Sequence, residues 1–121
     1  MEKKTTLVIG ASTKPERFSF KAIRLLRKYN IPVVAIGLRE GDVEDVKILK
    51  GKPELKDIHT VTMYIGPQNQ PDYYEYILNL NPERIIFNPG TENELFKKMI
   101  NSKGVKTIEN CTLVMLNSGT Y

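Results

Sequence analysis

Short apolar runs alternate along the chain with stretches in which apolar residues recur every three or four positions. Thr5 to Gly10 is a short apolar run closed by glycine and predicts a buried strand. Phe18, Ala22, Leu25, Leu26 and Tyr29 then fall on one face of an amphipathic helix, with Lys21, Arg24 and Lys28 turned outward. Asn30 and Pro32 end that helix, and Ile31 to Gly37 predicts a second buried strand. Residues 38–60 are mixed and polar, with a weak third strand near Val46 to Leu49 and a turn around Gly51 and Pro53. Val61 to Ile65 predicts a fourth strand. A helix follows, with Tyr73, Ile77 and Leu80 on one stripe and Tyr74 and Leu78 beside it. Asn81-Pro82 stops it, and Arg84 to Phe87 predicts a fifth strand. Thr91 stands three residues before Glu94, the spacing of a capping box that opens a helix with Leu95, Phe96, Met99 and Ile100 as its apolar face. Gly104 supplies a left-handed helix end, Val105 to Ile108 a last strand, and Cys111 to Leu116 a short final helix.

Strands alternating with helices predict an α/β fold with a parallel sheet covered on both faces. Right-handed crossovers make it a doubly wound, mostly parallel, Rossmann-like sheet, and residues 1–121 are expected to form a single domain. Such sheets bind ligands beyond the carboxyl ends of their strands, where the strand order reverses. Function is therefore sought in Gly10 to Arg17, Gly37 to Asp42, Ile65 to Gln68, Asn88 to Glu92 and Glu109 to Cys111.

Composition adds exclusions. The 40% hydrophobic and 26% charged residues are ordinary for a globular protein. No apolar run is long enough to span a membrane, and no signal peptide is expected before the first strand. The single cysteine, Cys111, fits a reducing cytoplasm. With the single histidine, His59, it is too little for a His/Cys metal site. The charge of +4 is unevenly spread. Residues 1–30 carry net +6, while residues 31–60 and 61–121 each carry net −1. The excess on the first unit points to a polyanionic ligand held near the amino terminus. Nucleic acid is not expected, because no recognition motif is present and the aromatics follow helix spacing rather than interleaving with the basic residues.

The loop after the first strand is the strongest candidate. Gly10 lets the backbone turn sharply. Ser12 and Thr13 offer hydroxyls and amides just before a helix amino terminus, which favours an anion, and Lys14 and Arg17 add charge. The loop has one glycine where the dinucleotide fingerprint requires three, and it lacks the Gly-Lys-Ser/Thr ending of a P-loop. The second strand runs into Gly37-Leu38-Arg39-Glu40. Arg39 there suits a phosphorylated ribose better than bare hydroxyls, while Glu40 keeps NAD open.

These residues carry a resemblance. Val8-Ile9-Gly10-Ala11-Ser12, followed by Pro15, Arg17, Ser19 and Phe20, resembles the opening of the small stand-alone CoA-binding proteins. That family is similar to the CoA-binding domain of the succinyl-CoA synthetase alpha subunit. Gly37-Leu38-Arg39 stands where the family has an Asn-Pro-Lys/Arg turn, and this replacement predicts a looser turn. Pro53 to Ile58 resembles the family's Pro-x-Leu and following turn. Gly66-Pro67, Gly90 and Glu109-Asn110-Cys111 match later positions, the last resembling an Asp-Arg-Cys. The resemblance implies a groove for CoA or an acyl-CoA. Gly10, Ala11, Ser12 and Thr13 would cradle the pyrophosphate, with Lys14 and Arg17 adding charge. Arg39 would face the ribose phosphate, and Tyr64, Ile65, Gly66, Asn88 and Gly90 would line the remainder.

No nucleophile–base–orienter set is evident, and the ligase reaction of the larger relatives needs a phosphohistidine in a second domain. Cys111 reads either as a small buried hydrophobe or as a thiol activated at a helix start. His59 and the acidic run Glu40, Asp42, Glu44 and Asp45 read as solvated loop residues, the acids shielding the basic unit. Two readings result: a non-catalytic CoA or acyl-CoA binding module, or an NADP- or NAD-dependent redox or redox-sensing protein. A homo-oligomer joined through an edge strand or helix is compatible with either.

Overall fold

The computed structural model describes residues 3–121. Seven strands form one sheet: β1 (Thr6–Ala11), β2 (Val33–Gly37), β3 (Gly41–Val43), β4 (Val46–Leu49), β5 (Thr60–Met63), β6 (Arg84–Phe87) and β7 (Lys106–Glu109). Their order is β3-β4-β2-β1-β5-β6-β7, and every pairing is parallel except β3 with β4. The helices are α1 (Phe18–Lys28), α2 (Tyr74–Leu80), α3 (Glu94–Ser102) and α4 (Thr112–Asn117). The α/β, doubly wound, mostly parallel architecture is therefore present.

The alternation of side chains along each strand divides the core in two. Leu7, Ile9, Val61, Met63, Ile85 and Phe87 face Ile77 of α2 and Phe96 and Ile100 of α3. Val8, Ala35 and Ile48 face Ile23 and Leu26 of α1 and Leu116 of α4. Phe96 anchors the first layer, stacked on Tyr74 at 4.2 Å between ring centroids and edge-on to Phe87 at 6.1 Å. Each fully buried side chain of this size stabilises the fold by about 1.5–3 kcal/mol.

Several local expectations are corrected. The buried face of α1 is Ser19, Ala22, Ile23 and Leu26, while Phe18 and Tyr29 are exposed. Phe18 is the first helical residue, and Tyr29 lies beyond the last turn. Asn93, not Thr91, caps α3: its side chain accepts the Phe96 N–H, whereas the Thr91 hydroxyl donates to the Asn88 carbonyl. Leu95 is exposed. Two 3-10 turns, Pro67–Asn69 and Pro71–Tyr73, precede α2, and prolines at their first positions explain the delayed helix. The polar segment after β2 holds an antiparallel hairpin, β3–β4, with Glu44 at φ 53 in its turn. Glu44 pairs with Arg24 at 2.7 Å and Asp45 with Arg27 at 2.8 Å. Hydrogen bonding to Arg27 holds the Asp45 carboxyl below its usual range and raises the guanidinium in turn. The acidic run thus occupies two of the arginines that made the first unit so basic.

Candidate functional site

The strand order reverses between β1 and β5. The chain moves outward through β2 and β4 on one side and through β5, β6 and β7 on the other. Gly10 lies at this reversal. It shifts the β1–β2 register, so that Ile9 faces Ile36 but Ala11 faces Gly37. Its φ is 96°, and a Cβ there would stand 2.9 Å from both the Tyr64 carbonyl carbon and Ile65 Cγ2. Glycine is thus needed for conformation and for space. Gly37 is buried, and a Cβ on it would strike the Ala11 carbonyl oxygen. The end of β2 is therefore packed closely on β1, while Leu38 and Arg39 after it are exposed. A Cβ on Gly41 would meet the Thr13 methyl, which ties the first loop to the β2–β3 connection.

The first loop then presents its polar groups. The Lys14 N–H donates to Ser12 Oγ at 3.1 Å, and the Arg17 N–H to the Lys14 carbonyl at 3.0 Å. Ser12 accepts in this turn and keeps its hydroxyl proton for another acceptor. Arg17 occupies the N-cap of α1 but makes no side-chain cap. The first-turn amides of this 11-residue helix are left open, with the positive end of the dipole behind them. Among the described residues, Lys14, Arg17 and Arg39 form no ion pair, in contrast to Arg24 and Arg27.

These elements enclose a groove of about 560 Å³. It brings together Gly10, Ala11, Ser12, Thr13, Lys14, Arg17, Arg39, Tyr64, Ile65 and Gly66. Asn88 and Gly90 do not line it. Asn88 is buried and donates to Thr62 Oγ1 at 2.7 Å and to the Met63 carbonyl at 2.8 Å, while its Oδ1 accepts the Thr112 N–H at 2.8 Å. The amide thus stitches β5 and β6 to the start of α4. Gly90 is exposed at φ 91°, and its N–H donates to Glu92 Oε1. Their neighbours Pro89 and Thr91 reach the groove instead.

Six further lining residues were not among the named candidates: Leu38, Pro89 and Thr91 lie within the strand-end segments marked from the sequence, whereas Phe18, Ser19 and Asn69 lie outside them. Leu38 is 90% exposed and Phe18 64%. The signal for Leu38 was an apolar residue directly after a buried strand. The signal for Phe18 was its place one residue after the loop arginine.

Tyr64 lines the groove, but its hydroxyl is buried without a hydrogen-bond partner among the described residues. Burial raises its pKa, so the phenol stays neutral. Cys111 precedes α4, its N–H accepted by Asn110 Oδ1, and is not a groove residue. His59 lies at the amino end of β5, with its Nδ1 beside Thr60 Oγ1 at the opposite pole of the sheet.

A larger hollow of about 810 Å³ runs over the outer side of α1 between the β3–β4 hairpin and α4. It is more open, and the Arg24–Glu44 and Arg27–Asp45 pairs lie within it. The strand-end groove, where loops, helix amino terminus and cations converge, is the candidate site on the fold rule for parallel sheets.

Comparison with known proteins follows the same outline. The family model described as a CoA binding domain matches residues 4–117. A crystal structure of an uncharacterized protein is 39% identical, with a TM-score of 0.96 and 100% of each chain covered. A protein from Thermus thermophilus, cell-free ID.343, superposes with a TM-score of 0.86 at 19% identity, covering 98% of this chain and 91% of its own. A hypothetical protein from Pyrococcus horikoshii OT3 gives 0.85 at 19% identity, with 98% and 84% covered. The latter two show the shared fold alone. Among curated proteins none matches significantly. No helix among the described residues is long and apolar enough to cross a membrane.

Proposed function

Because the chain belongs to the CoA binding domain family, we propose that it holds CoA or an acyl-CoA in the strand-end groove without transforming it. The observation that carries this reading is the convergence of Lys14, Arg17 and Arg39, unpaired among the described residues, with the open amino terminus of α1 on one groove. CoA presents a pyrophosphate and a ribose phosphate, which suit this distribution. The pyrophosphate lies against Ser12, Thr13 and the first-turn amides, with Lys14 and Arg17 beside it. Arg39, after β2, meets the ribose phosphate. The pantetheine arm crosses the reversal point toward Ile65, Gly66, Pro89 and Thr91.

Binding rather than catalysis is favoured by what lies where. His59 is at the far end of β5, and Cys111 lies outside the groove lining. The phenol of Tyr64 is turned into the protein and held neutral.

Thermal shift with CoA, dephospho-CoA, NAD and NADP at matched concentrations tests the reading. A ligand that binds only the folded chain adds about 2.7 kcal/mol at a hundredfold excess over its Kd. The largest rise in Tm is expected with CoA, a smaller one with dephospho-CoA, and little with NAD or NADP. A rise with NADP or NAD that exceeds that with CoA would instead make the chain a nicotinamide nucleotide protein.

A further inference from the structure

The two sides of the groove differ in charge. Its cations, Lys14, Arg17 and Arg39, all belong to the β1 and β2 side. The opposite wall is built from Tyr64, Ile65, Gly66, Asn69, Pro89 and Thr91 and contains no cation. Several of that wall's polar groups are already engaged. The buried Gln70 amide donates to the Ile65 carbonyl at 3.0 Å and to the Thr91 carbonyl at 2.8 Å. The Thr91 hydroxyl donates to the Asn88 carbonyl at 2.8 Å.

We propose that the groove accepts CoA species whose distal end is uncharged, the free thiol or a neutral thioester, and disfavours thioesters that end in a carboxylate. This rests on CoA lying in the groove with its phosphates on the first loop. The pantetheine arm then delivers the acyl group to the wall that has no cation. A carboxylate brought there loses hydration without gaining a charged partner. A methyl or methylene end packs on Ile65 and Pro89 at no such cost.

Calorimetric titration with CoA, butyryl-CoA and succinyl-CoA reads the selectivity, since the two thioesters differ at the acyl end by a methyl against a carboxylate. CoA and butyryl-CoA are expected within about threefold of each other, and succinyl-CoA at least about tenfold weaker, the equivalent of one 1.4 kcal/mol step. Asn69→Lys places a cation on the wall and should bring succinyl-CoA to within about threefold of butyryl-CoA. Succinyl-CoA binding the unaltered chain as tightly as butyryl-CoA overturns the proposal while leaving the CoA reading intact. So does a gap that Asn69→Lys leaves unchanged. Absence of binding by all three overturns the CoA reading itself, and the proposal falls with it.

Discussion

The side-chain amide of Gln70 holds the main-chain oxygen of Thr91 at 2.8 Å, joining two loops that lie 21 residues apart in the chain. The same amide holds the Ile65 carbonyl, and Gln70 Oε1 accepts from Asn93, the cap of α3. Gln70 is fully buried; its bond to Thr91 is sheltered from water and that to Ile65 partly so. Truncation in Gln70→Ala orphans two carbonyls and should destabilise the fold by about 1–3 kcal/mol. Because Ile65 and Thr91 both line the groove, CoA affinity should fall as well. Chemical denaturation paired with calorimetry checks both, and an unchanged Kd would detach this strut from the site.

Arg39 is assigned to the ribose phosphate. Arg39→Ala should weaken CoA by about tenfold, the lower end for a charged hydrogen bond at an exposed site, and leave dephospho-CoA within about twofold. Equal losses for the two ligands would remove Arg39 from that role. Side-by-side titrations of the variant decide it.

Much of this site was legible in the sequence because its chemistry is local. Gly10 through Arg17 follow a strand and precede a helix, so the loop's place, its glycine and its charges could all be read from consecutive residues. Arg39 follows the second strand in the same way. Contacts between distant residues were not legible. Asn88 stands one residue past β6, the right place for a groove residue, yet its amide is drawn to Thr62 and Thr112, 26 and 24 residues away. Thr91 and Glu94 have capping-box spacing, but Asn93 takes the cap because Thr91 is already bonded to Asn88. Of the hairpin β3–β4, the strand at Val46 to Leu49 was read as a weak one, while β3 was hidden by its length, since three residues give almost no periodic signal. Phe18 was placed on the apolar face by its spacing to Ala22, yet as the first helical residue it is exposed.

Gly10 allows β1 to pass within contact of the Tyr64–Ile65 backbone. Gly10→Ala should cost about 1–3 kcal/mol through its positive φ, with more from the blocked space. Groove binding should be lost together with the register shift. A Tm equal to that of the unaltered chain would show that the switch-point packing is looser than described.

Tyr64 carries a buried hydroxyl without a partner among the described residues. Tyr64→Phe removes that group and keeps the ring, so stability should be unchanged or slightly raised. A loss of more than about 1 kcal/mol would mean that the hydroxyl is bonded, with Thr62 and Thr112 the nearest candidates.

The central claim is that CoA occupies the groove at the ends of β1, β2 and β5. Amide chemical-shift mapping of the chain titrated with CoA tests its location directly. The account predicts that the largest shifts fall in Gly10 to Ser19, at Leu38 and Arg39, and at Ile65, Gly66 and Thr91. Shifts confined to the outer hollow of α1, around Phe20, Lys21, Leu25 and Lys28, would contradict it, as would an unperturbed spectrum at saturating ligand.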